Sequence, residues 1–297
     1  MSQNRNKSRF EIGMLIAPTT ILITIMFLLP LIYFLRVSFN QNILGGFMES
    51  AWTIENYIGF FTDPYFLKIL WNTIYISIAA TLLTLVMAFP IAYILARMTS
   101  NWKGVLIALV VFPLLVGNIV RDIGWISFFS ENGLVNRIIT KIGLTDGPVQ
   151  FLETPPAVII AIANVVLPYM ILTIQSVIER INPALEEAAI DLGASRWKVI
   201  RTVLIPIAMP GILAGTLFVF ILSMNAYTTP LVIGGTKVQM MAPALYAQIN
   251  EVSNWPMGSA MAIILITITL LSSILYLRVI ERTTSGSNHA TTTEVKG

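Results

Sequence analysis

The chain is 297 residues long, 56% hydrophobic and 11% charged, with a formal net charge of +3 and no cysteine. The charged fraction is under half of the roughly 25% usual in soluble domains, and several apolar runs reach the roughly 20 residues a bilayer core demands, so the composition describes a helical polytopic membrane protein. It excludes a disulfide framework, a thiolate metal site and thiol chemistry, and the small basic surplus fits loops at a membrane surface better than nucleic-acid binding.

Arg5, Lys7 and Arg9 precede an apolar run over about 12–35. The run exceeds the roughly 7 to 15 residues of a signal-peptide core and no small-residue cleavage site follows it, so an uncleaved first span is expected. Further spans are expected over 72–96, 104–129, 156–178, 207–233 and 257–277. The expected fold class is all-α, with six transmembrane helices in one domain over 12–282. A short terminus over 1–11 precedes it, and a polar, disorder-like tail over 283–297 follows, carrying the lone His289 as a solvated side chain.

Both termini and the even-numbered loops hold 12 of the 18 Lys and Arg residues, so the positive-inside rule places both termini, and the loop over 179–206, in the cytoplasm. The opposite loops, near 37–70, 130–155 and 234–256, are too short for separate domains. Tyr65, Trp71, Trp102 and Trp255 fall at span ends, where amphipathic rings anchor.

The loop over 179–206 is the one charge-dense insert between two strongly apolar runs. Asn182 can cap a helix with Pro183 in its first position, and Glu186 and Glu187 then suit the positive helix end. Gly193 can take the left-handed conformation that ends such a helix, and Ser195 can cap a second one carrying Arg196, Lys198 and Arg201 as far as Pro206. A bare topology signal would explain the arginines but not the acidic cluster of Glu186, Glu187 and Asp191.

Catalytic machinery is not evident. Gly234-Gly235-Thr236-Lys237 lacks the spacing of a phosphate-binding loop, and neither His-Glu-x-x-His nor Gly-x-Ser-x-Gly occurs. One tail histidine supplies no metal site and no obvious base. Polar groups at membrane depth are costly and tend to line cavities, which makes Asn118, Arg121, Asp122, Asn164, Tyr169, Gln175, Asn225 and Tyr227 candidates for a solute pathway. A plainer reading makes Asp122 the partner that offsets Arg121, and Asn164 and Asn225 interhelical glue. Pro30, Pro90, Pro113 and Pro168 suggest kinked spans.

Glu187-Ala188-Ala189, three residues, Gly193, nine residues, then Val203-Leu204-Ile205-Pro206 is similar to the E-A-A-x-x-x-G-x9-I-x-L-P signature of permease subunits of bacterial type I ABC importers. Val203 and Ile205 are the departures, both conservative in volume. Asn56-Tyr57, Phe60 to Phe66, Asn72-Thr73, Arg121 with Gly124-Trp125, Asn132 to Asn136, and Thr229-Pro230 with Gly234-Gly235 resemble the spermidine/putrescine branch, and within it the first of two paired permeases. The resemblance implies a bacterial inner-membrane subunit paired with a second permease, a cytoplasmic ATPase dimer and an extracytoplasmic solute-binding protein. ATP and Mg would be bound by the ATPase, and this chain would hold no cofactor.

The same resemblance makes 179–206 the coupling loop. Glu187 would face a basic or amide group of the ATPase, Ala188 and Ala189 would permit close approach, and Gly193 would form the joint, with Asp191, Ala194, Ser195 and Arg196 beside it. The resemblance implies a small polar solute, a polyamine or a related amine or amino-acid-like compound; relatives of the polyamine type carry an Asp near the position of Asn225-Ala226 and this chain has no acid there, which leaves a smaller amine, an amino-acid-like compound, an opine or a phosphonate open beside a polyamine. The alternatives are a self-sufficient secondary transporter or channel, which calls for an inverted repeat, and a membrane enzyme, which calls for a convergent acid/base set. Neither feature is present in the sequence.

Overall fold

In hydrocarbon every backbone amide must bond within its own segment, and this chain meets the requirement with helices. A computed structural model describes residues 2–43 and 48–293, with side chains over 17–43 and 48–278. In chain order the helices are α1 (Ser2–Val37), α2 (Glu55–Thr62), α3 (Pro64–Arg97), α4 (Lys103–Leu115), α5 (Asn118–Phe129), α6 (Leu134–Lys141), α7 (Pro155–Ile178), α8 (Ala184–Asp191), α9 (Arg196–Val199), α10 (Ile205–Met224), α11 (Met241–Asn250) and α12 (Trp255–Thr293). Two wide π turns, Ile200–Leu204 and Pro230–Gly234, interrupt the regular spacing. The backbone over 283–293, expected as part of a disorder-like tail, continues α12 as helix, while 294–297 and the side chain of His289 lie outside the described residues.

Among the described residues, five stretches are long and apolar enough to cross a bilayer: Ala17–Val37, Pro64–Arg97, Pro155–Ile178, Arg196–Met224 and Trp255–Arg278. A sixth crossing exists only as a bent pair, Lys103–Leu115 with Asn118–Lys141, meeting at 96°. The span expected over 104–129 is therefore broken. Pro113 lacks an amide proton and its ring disfavours helical backbone just before it, and Val116 leaves the helix in extended geometry, its amide donating to the Pro113 carbonyl at 3.3 Å.

The span expected over 207–233 is displaced at both ends. Its helix begins at Arg196 and runs through Pro206, because the π turn bonds the Ile205 amide five residues back to the Ile200 carbonyl and so opens the turn ahead of the proline ring. It stops at Met224, where the Asn225 side chain donates to the Ile221 carbonyl at 2.8 Å.

The chain forms two compact units, Met1–Pro64 with Leu245–Ile266 and Tyr65–Ala244 with Thr267–Gly297. In the smaller unit the loop after α1 folds onto Arg36, whose guanidinium donates to Asn40 Oδ1 at 2.5 Å, to the Ala51 carbonyl at 3.0 Å and to Ser50 Oγ at 2.9 Å, and lies 4.3 Å from the Trp52 ring centre. Asn56, buried, donates to the carbonyls of Ser38 and Asn40, both at 2.8 Å. The polar end of the first span is thereby satisfied internally.

The larger unit is built around α7. Met170, Ile171, Ile174 and Ile178 are buried against Ala88, Ala92 and Leu95 of α3 and against Ala208, Ile212 and Val219 of α10. Small residues permit the approach: a Cβ on Gly211 would lie 2.3 Å from Val177 Cγ2, and one on Gly215 3.1 Å from Met170 Sδ. A second cluster joins Ile76 and Ala80 to Val158, Ala161, Ile162 and Ile233. The outward faces of these helices stay apolar, with Val86, Leu109 and Leu275 exposed, as suits lipid or a partner helix.

Candidate functional site

The insert over 179–206 folds as two short helices about one glycine. Asn182 Oδ1 accepts the Ala184 amide at 3.0 Å, and the Pro183 carbonyl accepts those of Glu186 and Glu187 at 2.9 and 3.1 Å. At the other end of α8 the Gly193 amide donates to the Ile190 carbonyl at 2.8 Å and the Ala194 amide to the Ala189 carbonyl at 3.0 Å, the paired bonds of a Schellman stop. Gly193 has φ +86°, where a side chain is strained. Ser195 then caps α9, its Oγ accepting the Lys198 amide at 3.4 Å.

One face of this pair is anchored. Glu186 is buried, and its Oε1 receives Arg97 Nε at 2.8 Å and Nη2 at 2.5 Å, while Oε2 receives the Tyr93 hydroxyl at 3.0 Å. Arg97 Nη1 also donates to the Ile181 carbonyl at 3.0 Å. The other face is open. Glu187, Ala188, Asp191, Gly193, Ser195 and Arg196 are exposed and Ala189 and Ala194 half-buried. Leu192 at 89% and Trp197 at 71% exposure add apolar surface that the chain itself leaves unpacked. The sequence points to Glu187, Ala188, Ala189, Asp191, Gly193, Ala194, Ser195 and Arg196 but to neither Leu192 nor Trp197, and it does not reveal the clamp, because Arg97 reads only as a loop charge and Glu186 only as a helix-end carboxylate. A buried charge needs a partner, and Arg97 at the end of a span was the available signal.

Beside the clamp, Lys103 Nζ and Glu179 Oε1 lie 2.8 Å apart, and Gln175 Nε2 donates to the same oxygen at 3.1 Å. Lys103 holds the Glu179 carboxyl below its ordinary range, with the Gln175 bond adding to the effect.

The second site is a cavity of about 310 Å³ between α5, α7 and the end of α10. Of the eight pathway candidates it is lined by Asn118, Arg121, Tyr169, Asn225 and Tyr227, with Leu114, Ile162, Val165, Val166 and Leu222 supplying the apolar wall. Arg121 donates to Asn118 Oδ1 at 2.7 Å and to the Pro113 carbonyl at 3.3 Å. Asp122 is fully buried and accepts the Thr229 hydroxyl at 3.0 and 3.2 Å; Thr229, absent from the sequence candidates, ties α5 to the segment after α10. Asp122 makes no direct ion pair with Arg121, the ion pairs among the described residues being Arg97–Glu186, Lys103–Glu179 and Lys237–Glu153, but the two neighbouring charges act on each other electrostatically, as the plainer reading of Asp122 expects. Asn164 is half-buried on α7 and does not line this cavity, and Gln175 sits instead at the Glu179 end of that helix.

Residues 78–285 match the family model described as a binding-protein-dependent transport system inner membrane component. The spermidine/putrescine transport system permease protein PotB of Haemophilus influenzae is 33% identical over 251 residues, 84% of this chain and 87% of that protein. The protein of the same name from Salmonella typhimurium is 30% identical over 274 residues, covering 92% and 95%. Among solved structures, a chain of a bacterial ABC transporter involved in the import of the acidic polysaccharide alginate superposes with a TM-score of 0.72 at 19% identity, covering 95% of this chain and 99% of that one.

Proposed function

The chain belongs to the family of binding-protein-dependent transport system inner membrane components, and is a permease of an ABC importer; from that premise we propose how it works. The loop over 179–206 is the cytoplasmic coupling element, docked in a cleft of a separate ATPase dimer that binds ATP and Mg. Glu187, Ala188 and Ala189 form the docking face, Gly193 the joint, and Asp191, Ala194, Ser195 and Arg196 its border. Both termini lie on the same cytoplasmic side. A second permease completes the pathway, and an extracytoplasmic binding protein delivers a small polar solute, a polyamine or a related amine or amino-acid-like compound.

One observation carries the docking assignment: the helix pair is fixed to the bundle by a buried clamp at Glu186 and leaves Glu187, Ala188 and Gly193 of the signature exposed, together with Leu192 and Trp197. A short element stopped and capped around a single hinge transmits a rigid-body displacement, which a flexible loop would absorb. The cavity with its five polar candidates is the place in this chain for the solute.

The test is Gly193→Asp. A side chain at φ +86° is strained although no atom lies within 4 Å of its Cβ, so insertion and folding persist while ATP hydrolysis is uncoupled from uptake. Normal uptake by the variant in proteoliposomes holding the whole assembly would defeat the assignment. So would failure of a crosslinker at Ala194 to reach the ATPase while the assembly still transports.

A further inference from the structure

The cavity wall carries formal charge of one sign. Arg121 lines it, and the lining residues include no carboxylate. Asp122, the next residue, is buried and held by the Thr229 hydroxyl, and Arg121 is absent from the ion pairs found among the described residues. The guanidinium reaches only neutral acceptors, Asn118 Oδ1 and the Pro113 carbonyl, and its Nε is buried with no partner. Asn118, also on the wall, is the first residue of the twelve-residue α5, so the positive end of that helix dipole lies at the same edge.

The adjacent, buried Asp122 acts on this guanidinium electrostatically but makes no ion pair with it, so the planar fork is left to match two oxygens of one anionic group. A saturated polyamine would bring ammonium groups to a wall that repels them and offers no carboxylate in return. We propose that the solute passing this cavity bears an anionic oxygen group, a carboxylate or a phosphonate, which Arg121 receives during transit. The proposal rests on the cavity being the solute's pathway and adds the sign of the charge it selects. An accompanying amine is compatible with it, because Tyr169, Asn225 and Tyr227 supply neutral oxygen acceptors on the same wall.

The chain has no cysteine, so Asn225→Cys places a single thiol on the cavity wall. In the complete assembly in lipid nanodiscs, the anionic sulfonatoethyl and cationic trimethylammonioethyl methanethiosulfonates are reacted with it. Labelling is read on this chain, and each rate is normalised to the reagent's rate with a free small thiol. The expected result is a preference of about tenfold for the anionic reagent, lost in Arg121→Gln and kept in Arg121→Lys. A ratio near one, a cationic preference, or a ratio that Arg121→Gln leaves unchanged would overturn the proposal. Failure of both reagents to react with the folded protein, with full reaction after denaturation, would remove the pathway reading itself and the proposal with it. ATP-driven uptake of spermidine by the assembly would also overturn it.

Discussion

Glu186 and Glu187 are neighbours in the chain, and the helix step of about 100° turns one into a buried clamp and leaves the other exposed. Removing one partner of a buried pair leaves the other charge unpaired, so Arg97→Ala or Glu186→Ala alone should cost about 3 kcal/mol, read as a lower thermal midpoint of the purified chain. The double replacement Arg97→Met with Glu186→Leu should recover most of that loss, and additive losses in the cycle would contradict the clamp. The Lys103–Glu179 pair gives a milder and pH-dependent effect. Glu179 ionises more readily in the folded chain than at its ordinary value of 4.5, so its contribution is present above that value and fades as pH falls through the lower, folded one. Lys103→Met should flatten the acid side of a stability profile below about pH 4.5, and an unchanged profile would remove the pair from the account. At this scale the signature residues could be read from the sequence, because spacing and residue type carry them. The partners Arg97 and Thr229 could not, because each becomes meaningful only when the bundle brings it to a carboxylate 89 or 107 residues away.

The contact of α10 with α7 depends on two glycines one turn apart, Gly211 and Gly215. This small-x-x-x-small spacing was present in the sequence, but inside an apolar run it carries no polarity pattern to say which neighbour the smooth face meets. Gly211→Ala should destabilise by about 1 to 3 kcal/mol through overlap with Val177, and Val177→Ala in the same chain should relieve it; a silent Gly211→Ala would refute the close packing. Hydropathy placed the spans well where one apolar run makes one unbroken helix, as over 156–178. It failed where a run hides a change of direction, as at Val116 and Gly117, or where a helix passes into a polar loop unbroken, as from Arg196 through Pro206. Hydropathy reports depth and is blind to both.

At the scale of the molecule, a permease of an ABC importer is one component of a larger machine, and this one leaves the face of 179–206 exposed and encloses a cavity of modest size. Reconstituted by itself in liposomes with an ion gradient and no ATP, this chain should move no solute. Accumulation under those conditions would favour a self-sufficient carrier. The stretch Arg196–Met224 joins the two sites, since 29 residues at 1.5 Å each make a rod of about 43 Å that starts beside the Ser195 cap and ends at Asn225 on the cavity wall. Such a rod works in both directions: a thrust at its foot tilts the tip, and cargo seated at the tip must weigh on the foot by the same free energy. On the proposed pathway and docking face, the transported molecule would thus have a mechanical route to announce its arrival to the motor, one that passes through the widened turn at Ile200–Leu204.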